Sequence, residues 1–259
     1  MKVLVLLLLG AAGATLVARA PQPPVLSSAP VPAVAPAPAP QAAADLAILK
    51  GTVKIKGEIP KRKKIPTQAD PKCAAMHAKE PLLTDDFVID ASGNVQWALV
   101  YVKEGLGEAK FAPPKEAVVI EQKGCRFEPH VFGIMAGQDV KFRNGDSLMH
   151  IVHVVPKNNK EFGFSQEKPG EERVKVFANK ETIRVFCDVH QWMNAWAVVL
   201  DHPLYAVTGP DGRFTLKGLP PGKYTFEVWH EKYKPVTQEI EIKAKETKTA
   251  AFELTELLP

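Results

Sequence analysis

The stretch Cys187-Asp188-Val189-His190-Gln191-Trp192-Met193 brings a thiol, an imidazole and a thioether together on one short segment. Imidazole serves copper, zinc, iron and nickel alike, but a single thiolate with histidine and a thioether points to copper held by two histidines and a cysteine, with a weak axial methionine. The second histidine must come from upstream. His150 offers it: it follows Asn144-Gly145-Asp146-Ser147-Leu148-Met149 and opens the apolar alternating run Ile151 to Val155, which predicts a strand. Two distant strand ends would close on one ion, with His150, Cys187, His190 and Met193 as its ligands. Copper(II) prefers tetragonal coordination and copper(I) prefers softer, lower coordination, so a site between the two changes little when one electron arrives. The axial ligand and the hydrogen bonds around the thiolate tune its potential. Cys187 must be a thiolate to serve, and a bound metal lowers its pKa. The plain alternative is a buried core cysteine with incidental histidines.

Around these residues the chain resembles the cupredoxins, the plastocyanin-like blue copper proteins, over roughly residues 112 to 202. Cys125-Arg126-Phe127-Glu128-Pro129-His130 is similar to the family's F-x-P segment, and Gly137-Gln138-Asp139-Val140-Lys141-Phe142-Arg143-Asn144 to its G-x-x-V-x-F-x-N strand. The resemblance puts His150 in the role of first ligand. It takes Cys187, His190 and Met193 from the last loop, with Ala195 to Leu200 as the final strand. It implies one type 1 copper ion, and an electron port at the partially exposed edge of His190. One spacing departs from the family: plastocyanin-like loops place more residues between histidine and methionine than Gln191 and Trp192. His-x-x-Met is closer to the binuclear centre of cytochrome oxidase, but that centre needs a second cysteine in the loop, and none is present.

The region after the loop changes character. Tyr205 to Leu216 and Gly218 to Val228 alternate apolar runs with glycine and proline turns, as β-sandwiches do. Asp211-Gly212-Arg213-Phe214 and Leu219-Pro220-Pro221-Gly222-Lys223-Tyr224 resemble pieces of the carboxypeptidase regulatory-like domain, a small transthyretin-type sandwich. The family's opening strand is matched at Gly51-Thr52-Val53-Lys54-Ile55-Lys56-Gly57-Glu58-Ile59-Pro60, and Asn94 to Val102 would be its next buried strand. The expected fold class is therefore all-β: a cupredoxin Greek-key β-sandwich plus a second, smaller Ig/transthyretin-like β-sandwich. The expected division is a discontinuous regulatory-like sandwich over 46–110 plus 203–259, with the cupredoxin domain at 111–202 inserted in it. A plain tandem arrangement is the rival. No stretch keeps a 3.6-residue apolar period, and Asp70 to Lys79 is the one plausible short helix.

At 259 residues, 46% hydrophobic and 24% charged, the composition is that of a soluble protein of one or two domains. Residues 1–20 read as a secretory signal peptide, with Lys2, an apolar run Val3 to Val17 and the cleavage pattern Ala18-Arg19-Ala20. Export to the periplasm or beyond follows, with membrane contact only if that segment is retained. Residues 21–45 form a proline and alanine tether, too poor in bulky side chains to build a core. The net charge of +4, less the charges of Lys2 and Arg19, is +2, which gives no argument for a nucleic-acid partner. The basic run Lys61 to Lys64 reads as a solvated loop.

If Cys187 binds copper, Cys73 and Cys125 remain as a pair in an oxidising compartment, where a disulfide is the default. A second metal site from Cys73, His77, Cys125 and His130 is the sharper alternative. His153 lies three residues after His150 on an extended strand, so it faces the other way. His202 and His230 read as structural, and Trp192, Trp196 and Trp229 as core aromatics that could also cover the site.

The favoured function is a non-enzymatic electron carrier with no small-molecule substrate. Its partner would be a redox protein such as a periplasmic cytochrome or a dehydrogenase. Copper storage or delivery through the same ligands is the alternative. A nitrite-reductase-type enzyme would need a histidine cluster beyond the first site, and His77, His130, His153, His202 and His230 are too scattered for one.

Overall fold

The computed structural model describes residues 45–258. The signal peptide expected at 1–20, and the tether expected at 21–45 save its last residue, lie outside them. Sixteen strands run through the described residues: β1 Ala47–Ile55, β2 Leu99–Glu104, β3 Val118–Gln122, β4 Phe127–Glu128, β5 Val131–Met135, β6 Asp139–Asn144, β7 His150–Val154, β8 Phe162–Gln166, β9 Glu172–Val176, β10 Glu181–Cys187, β11 Asn194–Leu200, β12 Tyr205–Val207, β13 Arg213–Leu219, β14 Gly222–Trp229, β15 Val236–Ile242 and β16 Thr247–Leu254. The one α-helix among these residues, α1 at Pro71–Met76, falls where the sequence allows it, with Asp70 as its N-cap and proline in its first turn. A 3-10 turn, Thr67–Ala69, leads into it. The fold is all-β, as expected.

The strands form four sheets, ordered β13-β1-β16, β12-β2-β14-β15, β5-β11-β10-β7-β8 and β4-β3-β6-β9. Alternation dictates their packing. In β1, Ala47, Leu49, Gly51, Val53 and Ile55 turn inward while Lys50 and Lys54 face solvent. A Cβ on Gly51 would collide with the Ala250 carbonyl and the Phe214 ring, so this inward position admits only glycine. β1 lies between β13, to which it is antiparallel, and β16, to which it is parallel. Its side chains share one core with Val100, Leu216, Phe226 and Phe252. A second core gathers Ile120, Phe127, Phe142, Val152, Phe177, Val185 and Ala195 with Cys187 and Met193. Between them Leu99, Val131, Val198 and Leu200 pack with Trp97, Trp196, Tyr205 and Trp229. There the Tyr205 ring fills the space over Gly133 and its hydroxyl donates to the Gly133 carbonyl at 3.0 Å.

One expected strand is shorter than its apolar pattern. Of Asn94 to Val102, only the part from Leu99 onward is strand; Asn94 and Val95 make isolated bridges to Lys54 and Ile89. The cause is Trp97, whose φ of 68° turns the chain out of extended geometry. The turn is held by Thr208, whose carbonyl accepts from the Trp97 N–H and whose hydroxyl oxygen accepts from the Ala98 N–H.

His202 and His230 are structural, as their isolation in sequence suggests. His202 Nε2 donates to the Val102 carbonyl at 2.8 Å, and His230 Nδ1 accepts from the Lys232 N–H at 3.1 Å. His230 is 2% exposed, and burial, only partly offset by the nearby Glu231 carboxylate, pushes its imidazole down to about 4. The folded protein therefore keeps His230 neutral where the unfolded chain, with an ordinary value near 6.5, already binds a proton. This contribution is complete above pH 6.5 and falls away as the pH drops toward 4, by about 3 kcal/mol in all. His230→Asn, whose side-chain oxygen can still accept the Lys232 N–H, should flatten the pH dependence over that window. Urea midpoints taken between pH 7 and 4 check this, and parallel curves for the two proteins would refute it.

Candidate metal centre

β7 begins at His150 and β10 ends at Cys187, and the two strands are antiparallel neighbours with Cys187 opposite Val152. That register brings the first residue of one strand beside the last residue of the other. His190 and Met193 lie on the loop that joins β10 to β11, whose closing pair is Phe186 and Asn194. The loop is tied to itself: the Cys187 N–H donates to the Met193 carbonyl at 3.1 Å and the Met193 N–H to the His190 carbonyl at 2.8 Å. His150, Cys187, His190 and Met193 are all at most 1% exposed.

Three donor atoms face one another in this pocket. His150 Nδ1 and His190 Nδ1 are 3.1 Å apart, and Cys187 Sγ lies 4.0 Å from the first and 3.7 Å from the second. The triangle is compact enough for one metal ion, and two imidazoles with a thiolate are the donors of a trigonal His2Cys site. Burial pushes the Cys187 thiol up, but the two histidine rings beside it and the N–H groups of His190 and Ile151 outweigh it and hold the thiol at about 6. A thiol held low in this way gives up its proton to a metal readily. Ile151 N–H approaches it at 3.4 Å.

The outer nitrogens of both rings meet carboxylates. His150 Nε2 lies 3.0 Å from Asp146 Oδ2, and His190 Nε2 lies 3.2 Å from Asp70 Oδ2. Such partners fix the ring orientation and tautomer, and they make the inner nitrogen a stronger donor. Burial pushes the imidazole of His150 down, yet Asp146 and Cys187 together hold it above its ordinary value. Asp146 is itself fixed, its two oxygens accepting from Gly124 N–H at 2.7 Å and Cys125 N–H at 2.9 Å. Burial pushes its carboxyl up, but His150 and those two N–H bonds outweigh it and hold the carboxyl below the usual range.

One expectation is corrected. His190 has no exposed edge to act as an electron port, because Asp70 and the segment carrying α1 lie over it. The disulfide expected between Cys73 and Cys125 is present, with Cα atoms 5.9 Å apart, and it rules out the alternative of a second metal site from Cys73, His77, Cys125 and His130. His77 Nε2 meets the Gly124 carbonyl, and His130 is paired with Glu231 and the Asn194 carbonyl. His153 faces away from His150, as strand alternation requires, and pairs with Asp188 at 3.0 Å. The Trp192 ring does cover the site, its centre 5.2 Å from that of His190, with its N–H donating to the Cys125 carbonyl. Asp146 stood in the sequence pattern without a role. Asp70 was legible only as a helix start, since nothing local marks a contact 120 residues away.

Residues 196–255 match the model of the carboxypeptidase regulatory-like domain. A search of curated protein sequences returns no match. Among solved structures, a purple cupredoxin from Nitrosopumilus maritimus is similar at 20% identity and a TM-score of 0.29, over 32% of this chain and 99% of that one. An amicyanin variant in its Cu(I) form is similar at 20% identity and a TM-score of 0.30, over 39% of this chain and 98% of its own. A Cu-containing nitrite reductase from Thermus scotoductus SA-01 reaches 23% identity and a TM-score of 0.32, over 37% of this chain but 24% of its own length.

Asp146→Ala should leave the N–H groups of Gly124 and buried Cys125 without partners, at a cost of about 3 kcal/mol. Asp146→Asn, which keeps an acceptor, should lose less. Urea unfolding of the metal-free variants measures both, and an alanine variant as stable as wild type would contradict this account.

Proposed function

We propose that His150, Cys187 and His190, with Met193 as a weaker fourth donor, would hold one type 1 copper ion, and that the protein is an exported carrier of single electrons rather than an enzyme. The observation that carries this reading is the buried triangle of two Nδ1 atoms and one thiolate, with edges of 3.1, 3.7 and 4.0 Å and a carboxylate behind each ring. Copper bound there supplies a one-electron Cu(II)/Cu(I) couple. The protein's part is to keep the donors still. The strand register fixes Cys187 beside His150, the closed loop fixes His190, and the carboxylates stop either ring from turning. The Ile151 N–H adjusts the electron density on the sulfur.

The same reading divides the chain into a metal-bearing sandwich, 111–202, set into a regulatory-like sandwich built from 46–110 plus 203–259. Support comes from β1, which lies between β13 and β16 and shares their core. The partner would be a redox protein, a cytochrome or a dehydrogenase, in the periplasm or outside the cell.

Copper storage or delivery is the second reading, and the cover over His190 is the observation in its favour. A visible spectrum separates the two. Mature protein lacking residues 1–20, given one equivalent of Cu(II), should show an intense thiolate-to-copper band that ascorbate bleaches and that Cys187→Ser lacks. A colourless protein that reduces and retains copper would instead make it a store.

A further inference from the structure

We infer that Asp70 is a positioning residue for His190, and that the segment 67–77, stapled by the Cys73–Cys125 disulfide, is a lock that governs how fast metal enters and leaves the centre. The inference rests on the metal site proposed above. Asp70 divides its carboxylate between two tasks. One oxygen caps α1, accepting from Lys72 N–H at 2.8 Å and Cys73 N–H at 3.1 Å. That leaves the other oxygen directed at His190 Nε2, 3.2 Å away. A helix of six residues is thus held in register with a ligand ring by a single side chain.

The disulfide links this arrangement to the other histidine. Cys73, three residues beyond Asp70, is bonded to Cys125, and the Cys125 N–H donates to Asp146, the carboxylate that holds His150. One covalent bond therefore joins the supports of both imidazoles. Further ties run in parallel: Lys72 Nζ donates to the Ser147 carbonyl at 2.9 Å, and His77 Nε2 meets the Gly124 carbonyl at 2.9 Å. The side chain of Asp70 is 26% exposed while that of His190 is 1% exposed. A chelator approaching the outer edge of His190 meets Asp70 first and has to displace it.

Substitution can separate the cap from the lock. Serine caps helices as well as aspartate does but is too short to reach His190 Nε2. In the copper-loaded mature protein, Asp70→Ser should therefore keep the wild-type thermal midpoint within a few degrees. It should release copper to excess EDTA or, when reduced, to bicinchoninate about 10–100-fold faster, the usual effect of losing a partner behind a ligand. Its reduction potential should rise, because the more highly charged oxidised ion loses a nearby negative group. Cys73→Ser/Cys125→Ser should release copper faster as well. Should Asp70→Ser fail to fold, the isosteric Asp70→Asn, which also caps, carries the same test on release rate and potential. A folded Asp70 variant with wild-type release rate and potential would reduce Asp70 to a helix cap and overturn the lock. If wild type itself takes up no copper, the proposed site falls and the lock falls with it, a result distinct from the first.

Discussion

Three electron-rich donor atoms must stand within 4 Å of one another inside a hydrophobic core, and only the protein can keep their rings from turning away. Water cannot satisfy them there, since His150, Cys187 and His190 are at most 1% exposed. An unpartnered polar group so deeply buried costs several kilocalories per mole, so each ring nitrogen that does not face the centre needs a fixed acceptor. The carboxylates of Asp146 and Asp70 meet that requirement. Most of what surrounds the centre exists to hold those two groups in place.

Asp146 depends on a chain of buried amides. Its N–H donates to Asn144 Oδ1 at 2.9 Å, and the Asn144 amide donates to the carbonyls of Leu148 and Gln166. Gln166 in turn donates to the Phe142 carbonyl and accepts from Gln122. A network this connected is rigid because losing one member strands the next. It fixes the 145–149 loop, and so the point at which β7 starts and His150 points inward. Asp70 depends on a shorter element with fewer contacts of its own, and there a covalent bond does what a network does elsewhere.

The candidate donors and their strands could be read from the sequence because both are local. Cys187, His190 and Met193 share one loop, and His150 announces itself by opening an alternating apolar run. The short helix was legible from Asp70-Pro71, and the disulfide from cysteine arithmetic. The contact between Asp70 and His190 was not, because it depends on where the disulfide draws the segment and not on any periodicity. The break at Trp97 escaped for a related reason. Its neighbours alternate like a strand, and only the distant Thr208, which holds the turned backbone, reveals why the strand starts late.

The covered histidine bears on how the two sandwiches share work. A centre whose outer imidazole edge is closed favours retention over access, since both solvent and competing ligands are excluded from the most replaceable donor. The cover is also continuous with the packing between the cores. Trp192 lies against His190 and is tied to Cys125, while Trp196, on the strand that follows the same loop, meets Trp229 of β14 at 5.6 Å. The loop that carries two of the four proposed ligands is therefore bounded on one side by the stapled segment and leads on the other into the aromatic layer between sandwiches. Shifting either boundary moves His190, because the loop between Cys187 and Met193 is too short and too thoroughly hydrogen-bonded to absorb the change.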